Sequence, residues 1–185
     1  MNKLVLLGGI LLLAACSKQP TAVPEIKGEH YSGQMINIVG DHFQLSTMPK
    51  IKMRLWGAMT CQKNQKAYAA YGLLEWPCGT VAATLFKSKF NNKLVTCYPK
   101  QKMNRSKYFV QCFADGKDIA VELIKSGWAI AYRPYHKVQE PMYLKHENEA
   151  RSQNKGVWGS GFQWPHTYRK FGNKHVKTAP IKTPY

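Results

Sequence analysis

The amino-acid sequence predicts an α+β domain built on a five-stranded, OB-type β-barrel with three helices. Three observations favour this fold class. Five segments alternate apolar and polar residues as strands do, one helical segment separates the third from the fourth, and two more helices follow the fifth. The 185 residues suffice for one domain with its own core and flanking segments.

The first three strands are predicted in the N-terminal half of the domain. The stretch YSGQMINIVG alternates in strand fashion and stops at Gly40. HFQLST and KIKMRLW follow as the second and third strands, and Met48–Pro49 is expected to form the turn between them. A helix comes next, because GTVAATLFKSKF places Val81, Leu85 and Phe86 on one face.

The last two strands form a predicted hairpin. LVTCYP is the fourth strand, the basic segment KQKMNRSK is expected to be a loop, and YFVQCF is the fifth strand. Asp115–Gly116 then turns the chain into the amphipathic helix KDIAVELIKSG, which ends at Gly127. The third helix lies in PMYLKHENEARSQNKG, which starts with proline and ends at Gly156.

The charge balance is strongly positive. The chain has 27 Lys and Arg against 10 Asp and Glu, a formal charge of +17. Between His42 and Ala114 there are twelve Lys and Arg and a single acid, Glu75. A field of this sign attracts polyanions such as nucleic acid, anionic glycans or acidic lipid headgroups. The alternative is that the excess charge only keeps a small protein in solution.

The first residues, MNKLVLLGGILLLAAC, predict export. One positive charge precedes an apolar run that is too short to span a bilayer, which is typical of a signal peptide. Its LAAC end resembles the bacterial lipoprotein processing box, so residues 1–15 are the expected signal peptide and Cys16 the lipidated residue. Ser17 rather than Asp follows the cysteine, and by resemblance to enterobacterial lipoprotein sorting rules this favours the outer membrane, facing the periplasm or the cell surface. A plain secretory signal is the alternative.

Three segments follow the predicted cleavage site. Residues 16–30 are polar and contain proline, which predicts a tether between the lipid anchor and the domain. Residues 31–170 form the expected domain, and residues 171–185 a flexible basic tail.

Four cysteines remain after Cys16, namely Cys61, Cys78, Cys97 and Cys112. An even number in an exported protein favours disulfides, and a zinc site is the rival interpretation. Three pairings are possible. If the strand prediction holds, Cys97 and Cys112 lie on neighbouring strands of one hairpin, and Cys61 and Cys78 would form the second bridge.

Several stretches carry a family resemblance: VGDHFQL, RLWGAMTCQ, WPCG, VTCYP, FADGKDIAVELIKSGWAIAYRPY, NEARSQNKGVW and FQWPHTYRK. Over about residues 31–170 the sequence resembles the staphylococcal nuclease (thermonuclease, TNase-like) family, in its exported proteobacterial branch. The resemblance implies the staphylococcal nuclease-like fold. It also implies a phosphodiesterase site with carboxylates that hold Ca²⁺, a glutamate that acts on the attacking water, and two arginines that bind the phosphate.

The first half of that site is partly matched by this sequence. Asp41 occupies the position of the family's first metal-binding aspartate, and Arg54 that of its first phosphate-binding arginine. His42 stands where the family pattern usually has threonine. Asp41 can equally be a turn residue, and Arg54 can instead be the ion-pair partner of Asp41. His42 is either a surface strand residue or the base of a rebuilt site.

The second half of the site departs from the family pattern. Met59 falls at the second metal aspartate, and a thioether is a poor ligand for a hard cation. Gln62 falls at the general-base glutamate, and an amide cannot accept a proton from water. Lys107 falls at the second arginine and lacks its planar fork. The resemblance therefore implies a site that has lost most of its acids.

A nucleic-acid surface is predicted beside this site. Its candidate residues are Arg54, Arg105, Lys107, Tyr132 and Tyr135, since basic groups bind phosphates and tyrosines stack on bases. As an alternative, the two tyrosines are half-buried residues at strand ends. A further set of lysines is either a basic rim or a solvated face: Lys50, Lys52, Lys100 and Lys102.

Three functions remain open from the sequence. The first is a membrane-anchored, nuclease-fold lipoprotein that binds nucleic acid or another polyanion, with Ca²⁺-dependent phosphodiesterase activity weak or lost. No cofactor is expected in that case, and Ca²⁺ is expected if the ancestral activity survives. The second is an active exported endonuclease with a site rebuilt on Asp41, His42 and Arg54. The third is a structural component of the envelope or of a secretion or conjugation apparatus, with a protein partner.

Overall fold

A computed structural model describes residues 29–69, 72–133 and 140–172. The predicted signal peptide, Cys16, most of the tether and most of the tail lie outside these residues. In the described part of the chain, no helix is both long enough and apolar enough to cross a membrane.

The described residues form eleven strands and four α-helices. The strands are β1 (Tyr31–Val39), β2 (His42–Leu45), β3 (Met48–Leu55), β4 (Ala58–Met59), β5 (Ala67–Ala69), β6 (Leu74–Trp76), β7 (Leu94–Asn104), β8 (Lys107–Ala114), β9 (Lys117–Asp118), β10 (Ile130–Ala131) and β11 (Gly161–Phe162). The helices are α1 (Cys78–Phe90), α2 (Ile119–Lys125), α3 (Tyr143–Ser152) and α4 (Pro165–Phe171), with a 3₁₀ turn at Gly156–Gly159.

Five strands close into a barrel. The sheet order is β3-β2-β1-β7-β8, and β3 also pairs with β8 in parallel, which joins the two ends of the sheet. Side chains alternate across each strand, so Met53 and Leu55 of β3 and Val110 of β8 point into the core. The predicted fold class, an α+β barrel of the OB type, is confirmed.

Two local predictions are wrong. The turn between β2 and β3 lies at Ser46–Thr47, because β3 already begins at Met48 and Pro49 is tolerated near the start of a strand. The basic segment expected as a loop is mostly strand, because β7 continues through Asn104 and leaves only Arg105 and Ser106 in the turn. Three helices are predicted from the sequence, and the described residues contain a fourth, α4.

The barrel core is one hydrophobic cluster, and a second one packs beside it; each contains one disulfide. The second hydrophobic cluster consists of Met59, Cys61, Ala67, Cys78, Ala82, Ile130, Ala150, Val157, Trp158 and Phe162. Cys97 lies directly opposite Cys112 on β7 and β8, with the two Cα atoms 4.0 Å apart. Cys61 after β4 is bonded to Cys78 at the start of α1, with a Cα separation of 5.9 Å, and both residues belong to the second cluster. Both predicted disulfides are confirmed.

Candidate functional site

A tight turn between β1 and β2 positions Asp41. Val39 pairs directly with His42, so Gly40 and Asp41 form the two-residue connection, and Gly40 has a φ of +60° that suits glycine. The turn leaves Asp41 only 4% exposed. A carboxylate buried to this degree needs cationic or hydrogen-bonding partners.

Arg54 is the first of these partners. It lies opposite His42 in the β2–β3 pairing, and its Nη2 donates to Asp41 Oδ2. Its guanidinium carbon is 5.3 Å from the centre of the Phe109 ring, and its Nε is buried with no acceptor among the described residues. His42 Nδ1 lies 3.0 Å from the other carboxylate oxygen of Asp41. The sequence predicts that Arg54 either binds phosphate or forms an ion pair with Asp41. The ion pair is present in the structure.

Arg169 of helix α4 is the second guanidinium at Asp41. Its Nη2 donates to Asp41 Oδ2 at 2.7 Å, and its Nε donates to Gln62 Oε1 at 3.1 Å. The side chain of Arg169 is one-third exposed. We call Asp41, His42, Arg54, Gln62 and Arg169 the Asp41 cluster. It brings four predicted site residues together with Arg169, which the sequence does not single out.

Helix α4 is held in place by aromatic packing. Pro165 occupies the first turn of the helix, and the preceding Trp164 packs 6.1 Å from Trp158 and 6.0 Å from Phe162, between ring centres. Arg133 lies over the Trp164 ring at 5.0 Å. This packing fixes the start of a short helix whose last turn carries Arg169.

Arg133 is itself held by a buried acid. Glu147 of α3 is 1% exposed and accepts two hydrogen bonds from the Arg133 guanidinium, one of them at 3.0 Å. It also accepts a bond from the backbone N–H of Ala131 at 2.5 Å. The pair is bidentate and charge-assisted, which favours a single orientation of Arg133 against Trp164.

Gln62 is oriented by its own loop. Its side-chain Nε2 donates to the Thr60 carbonyl at 2.9 Å, and its backbone N–H donates to Gln65 Oε1 at 2.9 Å. The neighbouring Cys61 is fixed by its disulfide to α1. Gln62 Oε1 therefore faces Arg169 from an anchored loop.

Met59 is placed in a core rather than at the cluster. It is 1% exposed, pairs with Ile130 between β4 and β10, and belongs to the second hydrophobic cluster. Within the described residues, no three His, Cys, Asp or Glu side chains lie close enough together to hold a metal ion.

A band of cations lies on β3, on β7, in the β7–β8 turn and at the start of β8. Lys52 lies opposite Lys107 on the neighbouring strand. This pair is two residues along the strands from the Arg54–Phe109 pair, a distance of roughly 7 Å. We call the following residues the basic strand surface: Lys50, Lys52, Lys100, Lys102, Arg105 and Lys107. Five are exposed and Lys107 is half-buried, and none forms an ion pair with an acid in the described part of the chain.

Tyr132 borders the Arg54 end of this surface. It is half-buried and stacks on Phe109 with ring centres 6.1 Å apart, and Phe109 in turn contacts Arg54. Tyr135, the other predicted stacking residue, lies outside the described residues, as does Cys16.

The acids after β8 do not reach the cluster. Asp118 caps helix α2 through the backbone N–H of Ala120 and accepts a 2.6 Å bond from the Tyr143 hydroxyl. Burial, reinforced by Asp118, raises the pKa of Tyr143 well above its usual value of 10.0. Asp115 pairs with Lys93, which lowers the pKa of that exposed carboxyl.

The sequence does not single out Arg169, although FQWPHTYRK, the segment that contains it, carries part of the family resemblance. The sequence WPHTYRK shows a proline suited to a helix start, and Arg169 lies one turn after Pro165. That signal predicts a short helix. It does not say that the helix ends beside the β1–β2 turn.

Comparisons with known proteins agree with this architecture. A family model described as "Staphylococcal nuclease homologue" matches residues 52–160, more than half of the chain. The match includes Arg54, Gln62 and Lys107, whereas Asp41 and Arg169 lie on either side of it. A search of curated proteins finds no match to the chain.

Proposed function

The chain belongs to the family of staphylococcal nuclease homologues, and from this premise we propose that it is a nuclease-fold protein that binds nucleic acid without the Ca²⁺-dependent hydrolysis expected of the family. One observation carries the proposal. Asp41, the carboxylate at the centre of the site, is bonded by the guanidinium groups of both Arg54 and Arg169.

The donors at the Asp41 cluster do not fit Ca²⁺. This ion takes roughly six to eight oxygen ligands, with carboxylates prominent among them. Asp41 Oδ2 already accepts two guanidinium bonds, and Met59 is buried in a core. Two neighbouring cations repel a third, so a divalent ion would have to displace them.

The position at which the resemblance implies the general base also holds a group that cannot activate water. Gln62 cannot take a proton, and its Oε1 accepts a bond from Arg169 rather than facing an open position. Loss of a general base costs about 100- to 10,000-fold in rate. Loss of the metal ion adds to that cost, because the ion would stabilise charge on the reacting phosphate. We therefore expect hydrolysis to be weak or absent.

The basic strand surface supplies the attraction for a polyanion. Its six cations lie on one end of β3, β7 and β8, and no acid of the described residues neutralises them. Tyr132 is half-buried at the Arg54 end of this surface, and it offers an aromatic ring to a base. A row of unpaired cations beside an aromatic ring is the arrangement that binds single-stranded nucleic acid.

The test is binding of a fluorescent single-stranded oligonucleotide to the purified full chain at several salt concentrations. Affinity should fall steeply with salt, with a slope of about −0.7 per phosphate contacted. The variant Lys52→Gln/Lys107→Gln should bind about tenfold more weakly and reduce the slope by about 1.5.

The control variant is Lys87→Gln/Lys125→Gln, which removes the same charge from exposed positions on α1 and α2. We expect it to change the affinity by about twofold. No binding at low salt, or an equal loss in both variants, would contradict the proposal.

Digestion of plasmid DNA and RNA separates binding from hydrolysis. Incubation with Ca²⁺, Mg²⁺, Mn²⁺ or EDTA should leave both substrates intact. Cleavage that exceeds background and disappears in Arg54→Ala would show instead that the site has been rebuilt as an active nuclease.

Lipid attachment at Cys16 and a position at the outer membrane complete the proposal. The support is the apolar run before LAAC and the serine that follows Cys16. Cells that express the chain and receive labelled palmitate should incorporate label into it, and Cys16→Ser should abolish the label. Separation of inner and outer membranes then tests the location.

A further inference from the structure

We propose that Arg169 replaces the divalent ion as the positive charge beside Asp41 and serves as the second phosphate-binding arginine of the site. This inference rests on the proposed function, because it concerns the same nucleic-acid site. It assigns a role to a residue outside the part of the chain that matches the family model.

The position of Arg169 is the first argument. Its Nη2 contacts Asp41 and its Nε contacts Gln62, so one guanidinium bridges the two residues. These are the positions at which the family resemblance implies a metal ligand and a general base. A guanidinium that joins them occupies the space between these two side chains.

The charge of the cluster is the second argument. Arg54 and Arg169 each carry +1 and Asp41 carries −1, so the three groups leave a net +1 with His42 neutral. One phosphodiester group carries −1, and it can be bound without uptake of a metal ion.

Accessibility is the third argument. The side chain of Arg54 is 9% exposed, whereas that of Arg169 is 33% exposed. Arg169 is therefore the guanidinium that an incoming phosphate meets first. Arg54 bonds the same Asp41 oxygen as Arg169, and its buried Nε has no acceptor among the described residues.

The experiment compares Arg169→Gln with Lys170→Gln in oligonucleotide binding by the full chain. Both variants remove one positive charge from α4, and Lys170 is the exposed neighbour of Arg169. We expect Arg169→Gln to weaken binding about 10- to 100-fold, because a charge-assisted bond to phosphate is lost. Lys170→Gln should weaken it about twofold.

Two further arms keep the test decisive. Arg169→Lys retains the charge but loses the planar fork, so it should bind several-fold more weakly than wild type even if Arg169→Gln folds poorly. Wild-type affinity should be the same in EDTA and in Ca²⁺ at equal ionic strength. Tighter binding in Ca²⁺ by tenfold or more would overturn the inference.

The outcomes also separate this inference from the proposed function. If the wild-type chain does not bind the oligonucleotide, both are wrong. If it binds, and Arg169→Gln and Lys170→Gln weaken it equally, only the role of Arg169 is wrong.

Discussion

Arg169 Nη2 lies 2.7 Å from Asp41 Oδ2, although 128 residues separate the two in the sequence. The contact joins helix α4, which comes after β11 in the chain, to the turn between β1 and β2. One ion pair therefore links helix α4 to the site.

The first prediction concerns the sign of the Arg169 contribution to stability. In the wild-type chain, Arg169→Gln removes an attraction to Asp41 and should be destabilising. In an Asp41→Asn background the remaining interaction with Arg54 is repulsive, so the same substitution should be neutral or stabilising. We expect a coupling free energy between Arg169 and Asp41 of about 1–2 kcal/mol. The value should lie near the lower end of this range, because the Arg169 side chain is one-third exposed and water screens the interaction.

Urea unfolding of the wild type, Arg169→Gln, Asp41→Asn and the double variant measures this coupling. Arg169→Gln must have the same effect in both backgrounds if the two residues do not interact. That result would show that the contact contributes nothing in solution.

Local pattern accounts for the part of the fold that was predicted. Alternating residues in β1, β2, β3 and β8 predict strands because one face of each packs into the barrel. The Cys97–Cys112 bridge followed from the same pattern, since adjacent strands bring the two residues opposite each other. Helix α4 was missed because seven residues are too few to show a helical period.

The candidate site was less predictable, because its contacts are long-range. The sequence showed that Asp41 lacked acidic neighbours, but not that Arg169 would take their place. The family resemblance indicates that Met59 replaces a metal-binding aspartate, but not that Met59 packs beside Ile130 in the second hydrophobic cluster. Neither fact is present in the residues near Asp41.

The second prediction concerns the buried acid that holds Arg133. Glu147→Gln should destabilise the fold by about 2–4 kcal/mol, because the Arg133 guanidinium loses its charged partner. The expected loss is smaller than for a fully buried pair, since water reaches part of the Arg133 side chain. Urea unfolding measures the change. Glu149→Gln on the same helix is the control, and we expect a change of about 0.5 kcal/mol or less, since Glu149 is half exposed. Equal effects of the two substitutions would contradict the prediction.

The third prediction concerns stability at alkaline pH. The pKa of Tyr143 is raised in the folded chain, so its contribution is fully present below the unfolded value of 10.0. As the pH rises above that value, tyrosine ionises in the unfolded chain first, and the contribution is progressively lost. Thermal melting between neutral pH and pH values above 10.0 should therefore show a smaller fall in Tm for Tyr143→Phe than for wild type. Parallel curves would mean that Tyr143 does not cause the alkaline loss.

The last prediction concerns the close approach of α1 to the Gln62 loop. A Cβ added to Gly79 would lie 1.8 Å from the carbonyl oxygen of Gln62, and the Cys61–Cys78 disulfide prevents the helix and the loop from separating easily. Alanine stabilises a helix by about 1 kcal/mol relative to glycine, so propensity alone would make Gly79→Ala favourable. We expect the clash to outweigh this gain and to destabilise the fold by about 2 kcal/mol or more.

Gly79→Ala should also weaken oligonucleotide binding, because a displaced Gln62 no longer accepts the bond from Arg169. Thr80→Ala, at an exposed position of the same helix, is the matched control and should change neither quantity. Urea unfolding measures the stability of the two variants, and oligonucleotide titration measures their affinity. A Gly79→Ala chain as stable as wild type would show that the loop carrying Gln62 can move without cost, and that its orientation toward Arg169 is not enforced by α1.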